Sequence, residues 1–286
     1  MTKTRYTAVI TVLIAISVCV VPSAALPKAA DRTGFDHNHT LFDSVLQKYV
    51  ENGLVDYKAL LKDRKDLSRY LEQIADIDWK DYEEWSRRQK LALWLNAYNA
   101  ISIEVILQYY PIGKPNIVSP YPENSIRHIE GVWDKLEWKV AGRMFNLDHI
   151  EHVILRKELD EPKIHFVLVC ASIGCPLLES RALTADTIET RLNTAADNYI
   201  NRDHKVKVDG NNGIVWFPMI FDWFGEDFED GYTDKGLFWD RNPTEKGLLY
   251  FIFEYVPLDQ KTMLIKNEFV IKYIPYDWGL NEKVTQ

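Results

Sequence analysis

Residues 86–110 read SRRQKLALWLNAYNAISIEVILQYY, and the architecture follows from how this stretch must be housed. Leu91, Trp94, Leu95, Tyr98, Ile101, Ile103 and Val105 spread apolar side chains around most of a helical circumference. A helix that is apolar on nearly every side has no face to give to water, so other elements must surround it. Pro111 and Gly113 end it. Upstream, Phe42, Val45, Leu46, Tyr49 and Val50 fall at helical spacing. Leu60, Leu67, Leu71 and Ile74 carry further helix beyond an Asn52-Gly53 turn. The chain is therefore expected to be helical up to about Tyr110.

Downstream the pattern changes. Pro115 to Asn124 has no helical period and reads as a loop. VWDKLEWKVAGRMFN, Val132 to Asn146, alternates about Ala141-Gly142 as a hairpin does. Leu147 to Leu159 returns to helical spacing, with Asp148 favouring a helix N-terminus. Ile164 to Cys170 is apolar and β-branched and predicts a buried central strand. A helix from Thr184-x-x-Thr187 to Ile200 follows, then a hairpin joining Val206 and Val208 to Ile214–Phe217 across Asp209-Gly210. Phe221–Phe228 and Thr244–Tyr255 look helical, and Met263–Ile274 holds a last strand. Helices first, then hairpins mixed with helices, predict an α+β fold: a helical N-terminal half packed on antiparallel β-hairpins and a central strand.

The ends and the charge narrow the setting. Lys3 and Arg5 precede an apolar run from Tyr6 to Val21, followed by Ser23, Ala24 and Ala25. That is the form of a secretory signal peptide cut after Ala25, too short for the ~20 residues of a permanent membrane span. Cys19 then belongs to the discarded leader. Residues 26–35 are expected to be a loose mature N-terminus and 36–286 a single domain, exported to the periplasm or secreted. The net charge of −8 leaves no basic patch for nucleic acid, which is excluded as a partner. GxGxxG, P-loop and GxSxG patterns are absent from the sequence, so no nucleotide cofactor is expected.

Chemistry concentrates in KIHFVLVCASIGCPLL, Lys163 to Leu178. Cys170 and Cys175 are the only cysteines outside the leader, and Cys175 sits in a Gly174-Cys175-Pro176 turn that can expose its sulfur. A thiolate needs a nearby imidazole, cation or helix N-terminus to become a nucleophile. His165 or His152 could act as base, with Glu151 or Asn96 orienting or polarising, as in a cysteine hydrolase or acyl transferase. The alternative is a Cys170–Cys175 disulfide, worth about 2 kcal/mol for so small a loop, in a non-catalytic binding or assembly module. Both remain open at the level of sequence. His149 and His152 lie one helical turn apart and would need His165 or a thiolate to complete a zinc site; without HExxH no metal is assigned. Asn96 and Asn99, on the buried helix, have an obvious use in holding irregular backbone. Trp216, Asp222 and Trp223, in the aromatic-acidic stretch to Phe228, could line a sugar or peptide groove, while Tyr276-Asp277-Trp278 reads as a packing anchor. The expected ligand is a peptide, acyl or glycan group of the cell envelope.

Five blocks resemble the DUF547 family in order: WLNAYNA (Trp94–Ala100), NLDHIEHVILR (Asn146–Arg156), KIHFVLVCASIGCPLL, IVWFPMIFDWFGEDF (Ile214–Phe228) and IKYIPYDWGLN (Ile271–Asn281). The resemblance implies a domain found in exported bacterial proteins and attached to other modules in eukaryotic ones. It matches the family pattern at Asn96, Asn99, Glu151, His152, His165, Cys170 and Cys175, and it carries no catalytic assignment.

Overall fold

Ser86 starts the central helix by a reciprocal cap: its hydroxyl accepts from the Gln89 N–H, and the Gln89 side chain accepts from the Ser86 N–H at 2.9 Å. The helix it opens, α5, spans Arg87–Tyr109, and every residue from Leu91 to Leu107 is buried. The computed structural model describes residues 34–113, 118–202, 205–230 and 236–284. The proposed leader and residues 26–33 lie outside the described residues. Among the described residues no helix is long and apolar enough to cross a membrane.

Among the described residues four shorter helices precede α5: α1 (Thr40–Tyr49), α2 (Tyr57–Lys62), α3 (Lys65–Ala75) and α4 (Trp79–Glu83). Between α1 and α2, β1 (Val50–Glu51) and β2 (Leu54–Val55) turn over Asn52-Gly53. After α5, β3 (Trp138–Val140) pairs antiparallel with β4 (Arg143–Phe145) about Ala141-Gly142, both at positive φ. The hairpin tip donates its N–H groups to the carbonyls of Ile74 and Ala75 at the end of α3.

The segment His149–Glu158 is helical as expected, but wound as a π-helix. The expected strand Ile164–Cys170 is corrected. Pro162–Phe166 forms a 3-10 turn, with Pro162 in its first turn and the Glu161 carboxylate capping the Lys163 N–H. Beyond it the chain stays buried without a strand partner. A short apolar run signals burial and not its secondary structure; here an Asn side chain takes the bonds that a neighbouring strand would have supplied, as described below.

The C-terminal half holds α6 (Ile188–Asp197) and a three-stranded sheet in the order β5-β6-β7. Strands β5 (Lys207–Asp209) and β6 (Ile214–Pro218) form the expected hairpin. The last strand, β7 (Val270–Ile274), runs parallel to β6, so this sheet is mixed and not purely antiparallel. A parallel partner requires a long crossover, supplied by α7 (Met219–Phe224), α8 (Pro243–Tyr255) and α9 (Leu258–Lys266). Beyond β7 the tail returns to the first hairpin and to the cysteine segment. Ile173 and Gly174 donate to the carbonyls of Gly279 and Asp277, Asn281 donates to that of Ala171, and Val55 donates to that of Asn281. The protein is α+β, and this lacing fixes the position of its cysteines.

Candidate functional site: a thiol cradle in an aromatic cavity

Two asparagines on α5 shape the floor of the site. The Asn99 amide donates to the Val167 carbonyl at 3.0 Å and accepts from the Val169 N–H at 2.9 Å. Asn96 makes the same pair of bonds to Leu183, at 2.7 and 3.0 Å. Both side chains are therefore consumed in holding irregular backbone. Asn96 does not line the main cavity; as a polarising group it is corrected to a backbone clamp.

Held this way, residues 167–175 curl around one sulfur. Ala171 adopts φ 58, a left-handed conformation that costs a residue with a Cβ about 1–2 kcal/mol. The Cys175 N–H closes the turn on the Ser172 carbonyl. Cys175 is only 3% exposed. Its Sγ accepts from the Cys170 N–H at 3.1 Å and lies 3.0 Å from the Tyr276 hydroxyl and 3.1 Å from the Cys170 Sγ. Both cysteines are free thiols. Burial alone would push the Cys175 thiol up; the Cys170 S–H, the Tyr276 O–H and the backbone N–H groups of Ser172 and Cys170 outweigh it and lower its pKa to about 7. The Cys170 thiol moves the opposite way, because it donates to Cys175 and is itself desolvated. The Tyr276 phenol is likewise raised, by burial first and then by the two thiols. Of the two sulfurs, Cys175 is thus the one whose surroundings favour the thiolate.

Gly174 makes room for this contact, since a Cβ there would meet the Tyr276 ring at 2.7 Å. The tyrosine itself is positioned by the returning tail.

His165 leaves the 3-10 turn buried, at 3% exposure. Its ring stacks on Phe224 with centroids 4.5 Å apart, and its Nε2 donates to Asp227 Oδ2 at 2.7 Å. Asp227 also receives a two-pronged bond from Arg156, at 2.6 and 2.7 Å. Burial would raise the Asp227 carboxyl, but His165 and Arg156 hold it down at about 2. A carboxylate fixed on Nε2 leaves Nδ1 with the lone pair, the atom able to take a proton. Arg156 also donates to His152 Nδ1 at 3.1 Å. The His152 lone pair is thereby occupied, which makes His165 the better-prepared base of the two.

These groups meet in one cavity of about 410 Å³. Its lining includes Cys175, Cys170, His165, His152 and Glu151, together with Trp133, Trp223, Trp278 and Tyr276. Glu151 accepts from the Tyr98 hydroxyl at 2.8 Å. The aromatic side is continuous, with Tyr276 and Trp278 centroids 4.5 Å apart and Trp223 stacked 5.8 Å from Trp278. No hydrogen bond joins His165 to Cys175.

Other candidates fall elsewhere. His149 is exposed, its ring 5.3 Å from that of Phe145, and does not line the cavity. Among the described residues no group of three or more His, Cys, Asp and Glu side chains could hold a metal ion. Trp216 sits on the β5-β6-β7 sheet with the Lys272 ammonium over its ring, and Asp222 is exposed; neither lines the cavity, so of that stretch it is Trp223 that reaches it. Sequence reasoning missed Tyr276 and the role of Asp227. Both lie far along the chain from the cysteines, and only the fold brings them there.

No curated protein and no solved structure matches the chain. Residues 82–200 match the family model described as protein of unknown function, DUF547. That segment contains Asn96, Asn99, Glu151, His152, His165 and both cysteines, whereas Trp223, Asp227, Tyr276 and Trp278 reach the cavity from beyond it. Over this segment the chain is similar to the DUF547 family.

Proposed function

We propose that the protein is a thiol-dependent hydrolase or acyl or peptidyl transferase, with Cys175 as nucleophile. The observation that supports this most is the set of donors around the Cys175 sulfur, which favours thiolate near neutral pH inside a cavity that also holds the His165–Asp227 pair. Cys175 first gives its thiol proton to His165 Nδ1; the thiolate attacks an acyl carbonyl and forms a thioester, and the leaving amine or alcohol departs with that proton from the imidazolium. Water or an acceptor nucleophile then gives its proton to His165 Nδ1 and displaces the thiol, restoring the enzyme. Asp227 holds the ring and stabilises the imidazolium, itself kept ionised by Arg156. If the leader directs export, the substrate is a peptide, amide or acyl group of the cell envelope.

The acyl probe p-nitrophenyl acetate tests this. An acetyl adduct on Cys175 by mass, with nitrophenol release lost in Cys175→Ala and slowed about 10²–10⁴-fold in His165→Ala, is expected for a nucleophile with its general base. Equal nitrophenol release from Cys175→Ala would reject it.

A second reading keeps the cavity as a binding site only, with the cysteines oxidised to a bridge. The approach of the two sulfurs to 3.1 Å favours it. It expects Cys175→Ala to lose stability without loss of ligand binding.

A further inference from the structure

The ionisable lining of the cavity is unbalanced. Asp134, Asp148 and Glu151 face it, against one lining arginine, Arg127. Arg127 is engaged with the aromatic side: its guanidinium lies 4.7 Å from the Tyr121 ring centroid, 5.3 Å from that of Trp133 and 5.0 Å from that of Trp278. It also donates to the Tyr121 hydroxyl at 2.8 Å. The His152 ring nitrogen lies 3.7 Å from the Asp148 carboxylate, beyond hydrogen-bond reach. Asp148 is raised in pKa by burial first and then by the charges of Glu151 and Asp134, with His152 opposing. Trp133, Trp223 and Trp278 add ring faces, which attract cations in their own right. At about 410 Å³ the space suits a group of one or two residues, at the lower end of the ~300–1,000 Å³ typical of ligand pockets.

We propose that the cavity selects acyl substrates bearing a protonated amine close to the reacting carbonyl, the ammonium lying between the Asp134, Asp148 and Glu151 carboxylates and the tryptophan faces. The proposal rests on Cys175 as the acyl acceptor for its meaning in turnover. The preference for a cation is a property of the wall alone.

The test uses binding, not turnover. The native protein is titrated with benzylammonium, benzyl alcohol and benzoate at neutral pH, followed by the fluorescence of the lining tryptophans. Benzylammonium is expected to bind about tenfold more tightly than benzyl alcohol, with benzoate weakest. Asp148→Asn and, separately, the exposed-site variant Asp134→Asn should each reduce the benzylammonium advantage several-fold and leave benzyl alcohol unchanged. Competition by alaninamide and by n-butylammonium distinguishes an α-ammonium from a side-chain ammonium. Benzoate binding as tightly as benzylammonium would mean that Arg127 sets the charge preference and would overturn the proposal. So would the absence of binding by all three. Benzylammonium, benzyl alcohol and benzoate cannot acylate a thiol, so failure of their binding pattern is separate from failure of the nucleophile assignment.

Discussion

At the scale of the residue, the chemistry turns on which of two adjacent sulfurs holds the charge. Cys175 collects donors from every side, and Cys170 is one of them. Removing the Tyr276 hydroxyl removes a bond to a charged acceptor, worth about 1.5–3 kcal/mol, against about 1.4 kcal/mol per pH unit. Tyr276→Phe should therefore raise the Cys175 titration midpoint by about one pH unit or more, read from thiolate absorbance in the ultraviolet. An unchanged midpoint would mean that the phenol is a packing group only. The cysteines and His165 could be singled out because so few reactive residues share one short stretch, and the fold places them on one cavity. Tyr276 was not, since a Tyr-Asp-Trp run near a C-terminus looks the same whether its phenol meets a thiol or fills a core.

At the scale of the element, α5 does more than fill the centre. Its helical period could be read directly from the apolar positions, and the asparagines could be recognised as buried amides in search of backbone. What they hold was not legible: the segment they clamp has strand composition but no strand neighbour. Asn99→Ala would leave the Val167 carbonyl and the Val169 N–H without partners, at about 1–3 kcal/mol each. The melting temperature should fall by about 5–10 °C, and Cys175 reactivity should fall with it, because the same loop carries the sulfur. Thermal unfolding together with thiol labelling checks both. The π-helix carrying Glu151, His152 and Arg156 was also hidden, since five-residue and four-residue hydrogen-bond spacings leave similar apolar patterns over so short a run.

At the scale of the whole molecule, the site is assembled from segments far apart in the chain. Asp227 follows α7 and Tyr276 follows β7, and no local pattern ties either to Cys175. The α+β class was legible because it follows from the order of periodicities; the parallel β6–β7 pairing was not, because a strand's sequence does not state its direction. The N-terminal packing brings a pH dependence of its own. His39 is buried against the Tyr70 hydroxyl, and its pKa falls from 6.5 to about 4, by burial first and with Asp36 opposing. The unfolded chain then binds the proton first, so stability is whole above about pH 6.5 and declines as the pH falls towards 4. The loss amounts to about 3 kcal/mol. Asp227 contributes in a lower window, since its depressed pKa gives stability that is present above 3.8 and lost as the pH falls through about 2. Urea unfolding from pH 7.5 to 4.5 should show the first decline, and His39→Gln should flatten it.

The central claim is that Cys175 is a thiolate near neutral pH and Cys170 is not. The most direct measurement is the pH dependence of alkylation by iodoacetamide on the native, reduced protein, with each cysteine followed by peptide mass. Labelling confined to Cys175 at neutral pH, with a midpoint near pH 7, is the predicted result. A midpoint at the ordinary thiol value of about 8.5, or Cys170 reacting first, would contradict the account.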